Sequence, residues 1–303
     1  MAHRTHNFTD RQKMSSSTFE VYHYRNEQMK EVALHHHDFY EIYFFLSGNV
    51  SYNIESRSYR LSPGDVLLIN PQELHQPVFS PEKQQYERYV LWISAGCLQQ
   101  FALPGQDLSQ CFNTSRPEHT NLVRPDGASR ELIHYLMQQL VREQDSEDFA
   151  TEINRLSLLT QLLVLVNRTA IRAGRAPEPR DNADSAVYRI LGYINDHYSE
   201  DLSLDRLANV FFISKYHLSR EFSRVVGTSV HRYIVQKRLI MARQLMAGGA
   251  STSEVSQLCG FGDYSNFYRA FTNEYQISPR KYLEELKKDT PRHPDMPGLR
   301  ETE

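Results

Sequence analysis

At 303 residues the chain is longer than one ordinary domain and fits two. Hydrophobic residues make up 40% and charged residues 23%, a globular composition, and the lack of any run of 18 apolar residues excludes a membrane-spanning helix and a membrane partner of that kind. The net charge of −3 hides an asymmetry: residues 184–288 carry 14 Lys+Arg against 11 Asp+Glu, while residues 1–183 carry 18 against 22, so the basic excess sits where a nucleic-acid-binding module would need it.

Residues 1–17 are polar, lack the apolar stretch of a signal peptide and are expected to be disordered. Residues 18–95 read as a β domain. Aromatic and β-branched runs recur at 19–24, 40–46, 66–69 and 86–93, punctuated by Ser47-Gly48-Asn49, Ser62-Pro63-Gly64-Asp65 and Asn70-Pro71. Short strands with regular turns fit a sandwich or barrel. The next region, 96–172, opens with an irregular segment. From about Ala128 the period turns helical: Leu132, Leu136 and Leu140, then Ile153, Leu156, Leu159, Leu163 and Val166, predict two helices broken near 145–148. The second is so apolar that something must cover it, either the β structure of its own chain or a second copy in a homodimer. Residues 173–183, with two prolines, a glycine and several charges, read as a linker. After the region 184–288, residues 289–303 carry three prolines and little to bury, and are expected to be disordered. Cys97, Cys111 and Cys259 are odd in number and lack metal-ligand spacing, which fits a reducing compartment, the cytoplasm.

The C-terminal region holds an internal repeat. Residues 217–234 (HLSREFSRVVGTSVHRYI) and 266–283 (NFYRAFTNEYQISPRKYL) align 49 positions apart, matching Leu218 with Phe267, Arg220 with Arg269, Phe222 with Phe271 and Tyr233 with Tyr282. Upstream, Leu207-Ala208 matches Val255-Ser256 at an offset of 48, so the second turn, Gly260-Phe261-Gly262, has one extra residue. Each copy reads as a short helix, a tight turn and a second helix, predicting helix-turn-helix units at 202–225 and 252–275. In the first, Leu204, Leu207 and Ala208 face inward, and Ser214 caps a helix that buries Leu218, Phe222 and Val225. In the second, Asp263 is the cap and Phe267 and Phe271 are buried. Between them, residues 230–246 form one long amphipathic helix that fixes the separation of the two units.

The run Ser214-Lys215-Tyr216-His217-Leu218-Ser219-Arg220-Glu221-Phe222, with the signature Gly260-Phe261-x-Asp263-x-Ser265-x-Phe267-x-Arg269-x-Phe271 and Ser278-Pro279-x-x-Tyr282, resembles the AraC/XylS family of transcription regulators. Departures from its pattern are Thr272 for a lysine, Gln276-Ile277 where a glycine precedes Ser-Pro, and Ser256 for an alanine. The resemblance implies a regulator of transcription, not an enzyme. Double-stranded DNA is then the partner, with two recognition helices in successive major grooves about 34 Å apart. On that reading Tyr216, Ser219 and Arg220, then Ser265, Asn266 and Arg269, are the base-reading residues; Arg pairs with guanine O6/N7 and Asn with adenine N6/N7 by two bonds each. Ser214, Lys215, Arg224, Lys237 and Arg238 suit phosphates. RNA polymerase is a further partner if the protein activates.

His35-x-His37-x3-Glu41-x6-Gly48 resembles the first motif of the cupin barrel, and Pro63-Gly64-Asp65 through Asn70-Pro71-x3-His75 a shortened second one. Met29 stands where a glycine opens the first motif, and Pro71 to His75 is one residue short. Period-2 geometry puts His35, His37 and Glu41 on one strand face, with His36 and Asp38 opposite. Two occupants are compatible with His35, His37, Glu41 and His75: an organic effector, for which regulators of this family supply the analogy, or a divalent metal. The effector reading needs no cofactor. The expected architecture is multidomain: an N-terminal cupin-like β-barrel with a helical dimerisation segment, then an all-α domain with two helix-turn-helix motifs. A small-molecule effector would control DNA binding, with a carbohydrate as the analogy-based choice; a metal-dependent enzyme or metal-sensing regulator is the alternative.

Overall fold

The computed structural model describes residues 12–27, 32–80, 85–173 and 185–289. Residues 1–11, the expected linker apart from Ala173, and residues 290–303 of the expected tail lie outside the described residues. The chain divides into two compact units, residues 1–193 with 221–227 and residues 194–220 with 228–303.

The first unit is built on antiparallel strands β1 (Phe19–Asn26), β2 (Tyr40–Ser47), β3 (Val50–Ile54), β4 (Arg57–Arg60), β5 (Val66–Ile69), β6 (His75–Phe79), β7 (Tyr86–Ile93) and β8 (Leu122–Val123). They form a five-stranded sheet in the order β1-β7-β2-β5-β8 and a three-stranded sheet in the order β4-β3-β6. Alternation along β2 explains why this strand reads as an unbroken apolar run. Ile42 and Phe44 join Leu68, Leu91 and Ile93 in a cluster with helical residues, whereas Tyr43 and Phe45 join Leu67, Ile69 and Trp92 in a second cluster with Val50, Tyr52 and Ile54 of β3. The large sheet is therefore covered on both faces, by helices on one and by the small sheet on the other. Each large apolar side chain buried there contributes about 1.5–3 kcal/mol.

Residues 95–126 hold more structure than expected: α1 (Ala95–Gln100), a 3-10 turn at Gln110–Phe112, and β8, which extends the sheet by pairing with β5. The β structure thus reaches past residue 95. The segment 15–18 is also tied down, contrary to the expectation of disorder up to residue 17. Ser16 N donates to Glu20 Oε1 at 2.6 Å, and Ser94 Oγ donates to the carbonyl of Ser17 at 2.7 Å.

Helices α2 (Gly127–Glu143) and α3 (Thr151–Ala173) follow. Asp126 caps α2 by accepting from Ser129 N at 2.8 Å. The apolar face of α3 is covered within its own chain: Leu159, Leu162, Leu163 and Val166 share one cluster with Ile133, Leu136, Met137 and Leu140 of α2 and with the sheet. Two expected core residues fall outside it, since Leu132 is 47% and Ile153 is 73% exposed; Ile133 and Met137 take the inward positions instead.

The helical part comprises α4 (Ala186–Asp196), α5 (Leu204–Val210), α6 (Lys215–Val226), α7 (Val230–Ala247), α8 (Thr252–Leu258), α9 (Tyr264–Tyr275) and α10 (Pro279–Asp289). Polar caps set the helix starts: Ser203 for α5, Ser229 for α7, Asp263 for α9 and, for α8, a capping box between Ser251 and Glu254. Leu207, Ala208, Leu218 and Phe222 are buried as the repeat predicts, whereas Leu204 is half-exposed and Val226 replaces Val225 as the buried valine. In the second motif, Val255, Phe267 and Phe271 pack with Leu239, Ala242 and Met246 of α7.

Candidate functional site

Both turns of the helix-turn-helix repeat close in the same way. The N–H of Ile213 donates to Ala208 O at 3.0 Å, and that of Phe261 to Ser256 O at 3.2 Å, the long-range bond of a helix ended by one left-handed residue. That residue is Phe212 in the first turn (φ 54°) and Gly260 in the second (φ 72°). The extra residue of the second turn is thereby Gly262, just before the cap Asp263. Ser256, at the position where the first motif has alanine, is buried, and its hydroxyl donates to Ser253 O at 3.0 Å.

These turns leave one face of α6 and one face of α9 open to solvent. Tyr216, Ser219 and Arg220 on α6, and Ser265, Asn266 and Arg269 on α9, are all exposed. On α9 the polar groups form a chain. Asp263 accepts from the N–H and side-chain amide of Asn266, each at 2.7 Å, and Asn266 Oδ1 accepts from Arg269 Nη2 at 2.7 Å. On α6 the Arg220 guanidinium lies 5.7 Å from the Tyr216 ring centroid. Ser214 caps α6 by accepting from His217 N at 3.2 Å, Lys215 pairs with Asp205 at 2.8 Å and Arg224 with Glu221 at 2.8 Å.

Lys237 and Arg238 do not fit the phosphate role expected of them. Lys237 is buried. The Arg238 guanidinium donates to the carbonyls of Tyr198 at 2.8 Å and Glu200 at 2.7 Å, so its donors hold the segment after α4. The amphipathic pattern of α7 conceals this, because long cationic stems pass as solvent-facing until the neighbouring carbonyls are placed.

In the β unit, His37, Glu41 and His75 converge with ligand atoms within 4.8 Å of one another, all three residues buried. His35 stands outside this set. It forms a β-bridge with His75, and the two rings lie 4.3 Å apart. The expected continuous strand from His35 to Glu41 is also interrupted: a bend at 38–39 precedes β2, and His37 reaches Glu41 across it. In each histidine Nδ1 faces a backbone carbonyl: Ala33 O at 2.9 Å for His35, Phe39 O at 2.8 Å for His37 and Glu73 O at 2.9 Å for His75. A carbonyl only accepts, so Nδ1 carries the hydrogen in all three. His37 Nε2 lies 3.2 Å from Glu41 Oε2, and among the described residues the buried Nε2 atoms of His37 and His75 have no hydrogen-bond partner. Burial, reinforced by the neighbouring histidines, holds the His75 pKa well below its ordinary value.

Beside this cluster a small cavity is lined by Glu41, Arg88, Trp92 and Tyr24, Tyr43, Tyr52 and Tyr86 among others. Trp92 Nε1 donates to Glu41 Oε2 at 3.0 Å. The Arg88 guanidinium lies 4.7 Å from the Tyr24 ring centroid and 4.1 Å from that of Tyr86, and Tyr43 and Tyr86 share a hydroxyl–hydroxyl bond. Burial raises the pKa of Tyr43, Tyr52 and Tyr86, keeping the hydroxyls neutral. Sequence reading found only Glu41 of this lining. The signal was available in the inward positions of β7, where Arg88 interrupts an apolar strand two and four residues from Tyr86 and Trp92.

Comparison with known proteins joins the two halves. Residues 19–163 match the AraC-like ligand binding domain and residues 207–285 a helix-turn-helix domain. The HTH-type transcriptional activator RhaS of Citrobacter koseri is 28% identical over 247 residues, covering 81% of this chain and 85% of that protein. The RhaS of Salmonella paratyphi B is 29% identical over the same shares. Among solved structures, fatty-acid-bound ToxT of Vibrio cholerae is 14% identical over 90% of this chain and 97% of its own, with a TM-score of 0.37. With both domain types in order along one chain, the protein belongs to the AraC family: it is a DNA-binding transcription regulator, not an enzyme, with an AraC-like ligand-binding domain before its helix-turn-helix domain.

Proposed function

We propose that this regulator reads two successive major grooves with α6 and α9 and is controlled by a carbohydrate bound in the β-barrel cavity. Tyr216, Ser219 and Arg220 on α6, and Ser265, Asn266 and Arg269 on α9, read bases, while Ser214, Lys215 and Arg224 meet phosphates. Support for the readers comes from the repeat, which keeps an exposed Arg at one register in both helices. The observation that carries the effector class is the cavity lining. Flat aromatic faces, one carboxylate and one guanidinium are the groups that bind a polyhydroxylated ring, apolar on its faces and hydrogen-bonding at its rim. The cavity is about 20 Å³, room for one or two waters, so a sugar must open it. This opening would give the differential affinity that a ligand switch requires.

His35, His37 and His75 form the wall next to Glu41 in this reading. The protein acts in the cytoplasm as a homodimer and an activator that contacts RNA polymerase. Activation follows the naming of the curated relatives, and Leu132 and Tyr135 of α2, 47% and 54% exposed, offer an uncovered face for a second copy.

The test is protection of the DNA upstream of the protein's own coding sequence, with random DNA as competitor, across a panel of sugars. Two protected major-groove segments about one helical turn apart per chain are expected. One sugar should shift affinity or spacing, and Trp92→Ala should abolish that shift while leaving sugar-free binding in place. Equal protection of random DNA would remove the base-reading assignment, and a panel without effect would remove the carbohydrate.

A further inference from the structure

The cluster at His37, Glu41 and His75 has a property that lining a sugar pocket does not require. With the hydrogen on Nδ1, a neutral His37 directs a bare nitrogen lone pair at a buried carboxylate oxygen 3.2 Å away. Two lone pairs facing each other in a low-dielectric interior repel unless a positive charge lies between them. The Nε2 of His75 is likewise buried without a hydrogen-bond partner among the described residues. All three imidazoles of the region donate Nδ1–H to a backbone carbonyl. This is the arrangement that fixes metal-ligating histidines by their outer nitrogen, and Trp92 Nε1 at 3.0 Å does the same for the carboxylate of Glu41.

We infer that His37 Nε2, Glu41 and His75 Nε2 bind one divalent transition-metal ion. The donor set, two imidazoles and one carboxylate, suits zinc, iron(II), cobalt(II) or manganese(II). Donors bound at about 2.0–2.2 Å stand about 3.3–3.6 Å apart around a tetrahedral ion, against the 4.8 Å span here, so the side chains must close by about 1.2–1.5 Å to hold it. Three protein ligands leave at least one position for a water or small molecule. Glu41 belongs to both the set and the cavity, so the ion would bring positive charge to the cavity wall.

Trp92 is the only tryptophan in the chain and touches the site, which gives the test a local reporter. Full-length protein is stripped with a chelator and titrated with cobalt(II), following metal uptake, visible absorption and Trp92 fluorescence, and then challenged with zinc(II). One equivalent of cobalt(II) should bind, quench the fluorescence and be displaced by zinc(II) with recovery of emission. His37→Gln and Glu41→Gln should each weaken the site by about 100-fold or more, beyond the 10–100-fold typical of losing an outer-shell partner. A wild-type chain that takes up no stoichiometric metal would overturn the inference and identify the pair as imidazolium and carboxylate. Uptake and quenching that persist unchanged in either folded variant would overturn it equally. The wild-type titration decides even if a variant fails to fold.

Discussion

The two helix-turn-helix motifs solve one geometric problem with different residues. Each needs a left-handed residue to end its first helix, and the first motif places Phe212 there, the second Gly260. The difference lies in what surrounds the turn. A Cβ on Gly260 would lie 2.4 Å from the carbonyl oxygen of Ser199, whereas Phe212 is 95% exposed and meets no such wall. A left-handed side chain costs about 1–2 kcal/mol, which an open turn can carry and a turn pressed against backbone cannot. The second helices of the motifs also differ: on α9 Arg269 donates to Asn266, which donates to Asp263, while on α6 the Arg220 guanidinium lies over the ring of the exposed Tyr216.

The largest effect is expected of Gly260→Ala. It combines left-handed strain with backbone overlap, and a loss of about 2–4 kcal/mol in denaturant unfolding is expected. An unchanged midpoint would mean that the Ser199 segment yields freely. Arg269→Ala should cost roughly 1–3 kcal/mol on the DNA selected from a random library and relax one base position. Combined with Asn266→Ala, its effect should be non-additive by about 0.5–3 kcal/mol. The pair Tyr216 and Arg220 should couple less, by up to about 1 kcal/mol; equal coupling in both motifs would mean that the two arginines are held alike. The smallest effect has the opposite sign. Phe212→Gly relieves the strained backbone at the cost of a freer unfolded chain, for a net gain of about 0.5–1 kcal/mol, and a loss would reveal a contact that covers the ring.

The repeat made the helical half legible because caps, turn residues and buried aromatics recur at fixed offsets, and local chemistry decides each of them. The limits appear where a residue's role depends on distant backbone. Nothing local marks Arg238 as the partner of two carbonyls near residue 200, or tells Leu132 from Ile133 as the inward position of α2. The β half was legible as strands where aromatic runs were strong. The short strands β3, β4 and β8 lacked such runs, and Pro77 disguised β6. The cupin-like motif located His37, Glu41 and His75 but grouped His35 with them, because period-2 counting does not foresee that His35 is taken up in a β-bridge with His75. The tyrosines and Arg88 of the cavity come from four different strands, and only the sheet pairing brings them together.

Strand β2 has no side facing water. Residues such as Glu41 and Tyr43 look toward the cavity, while their immediate neighbours Ile42 and Phe44 are wedged among the residues of α2 and α3. A molecule that spread the first pair could not be accommodated by letting the strand drift into solvent, since a close-packed interior transmits displacement instead of absorbing it. The backbone of β2 is in that sense a lever with its fulcrum in the sheet, and the helices on the far side are where its movement must be felt.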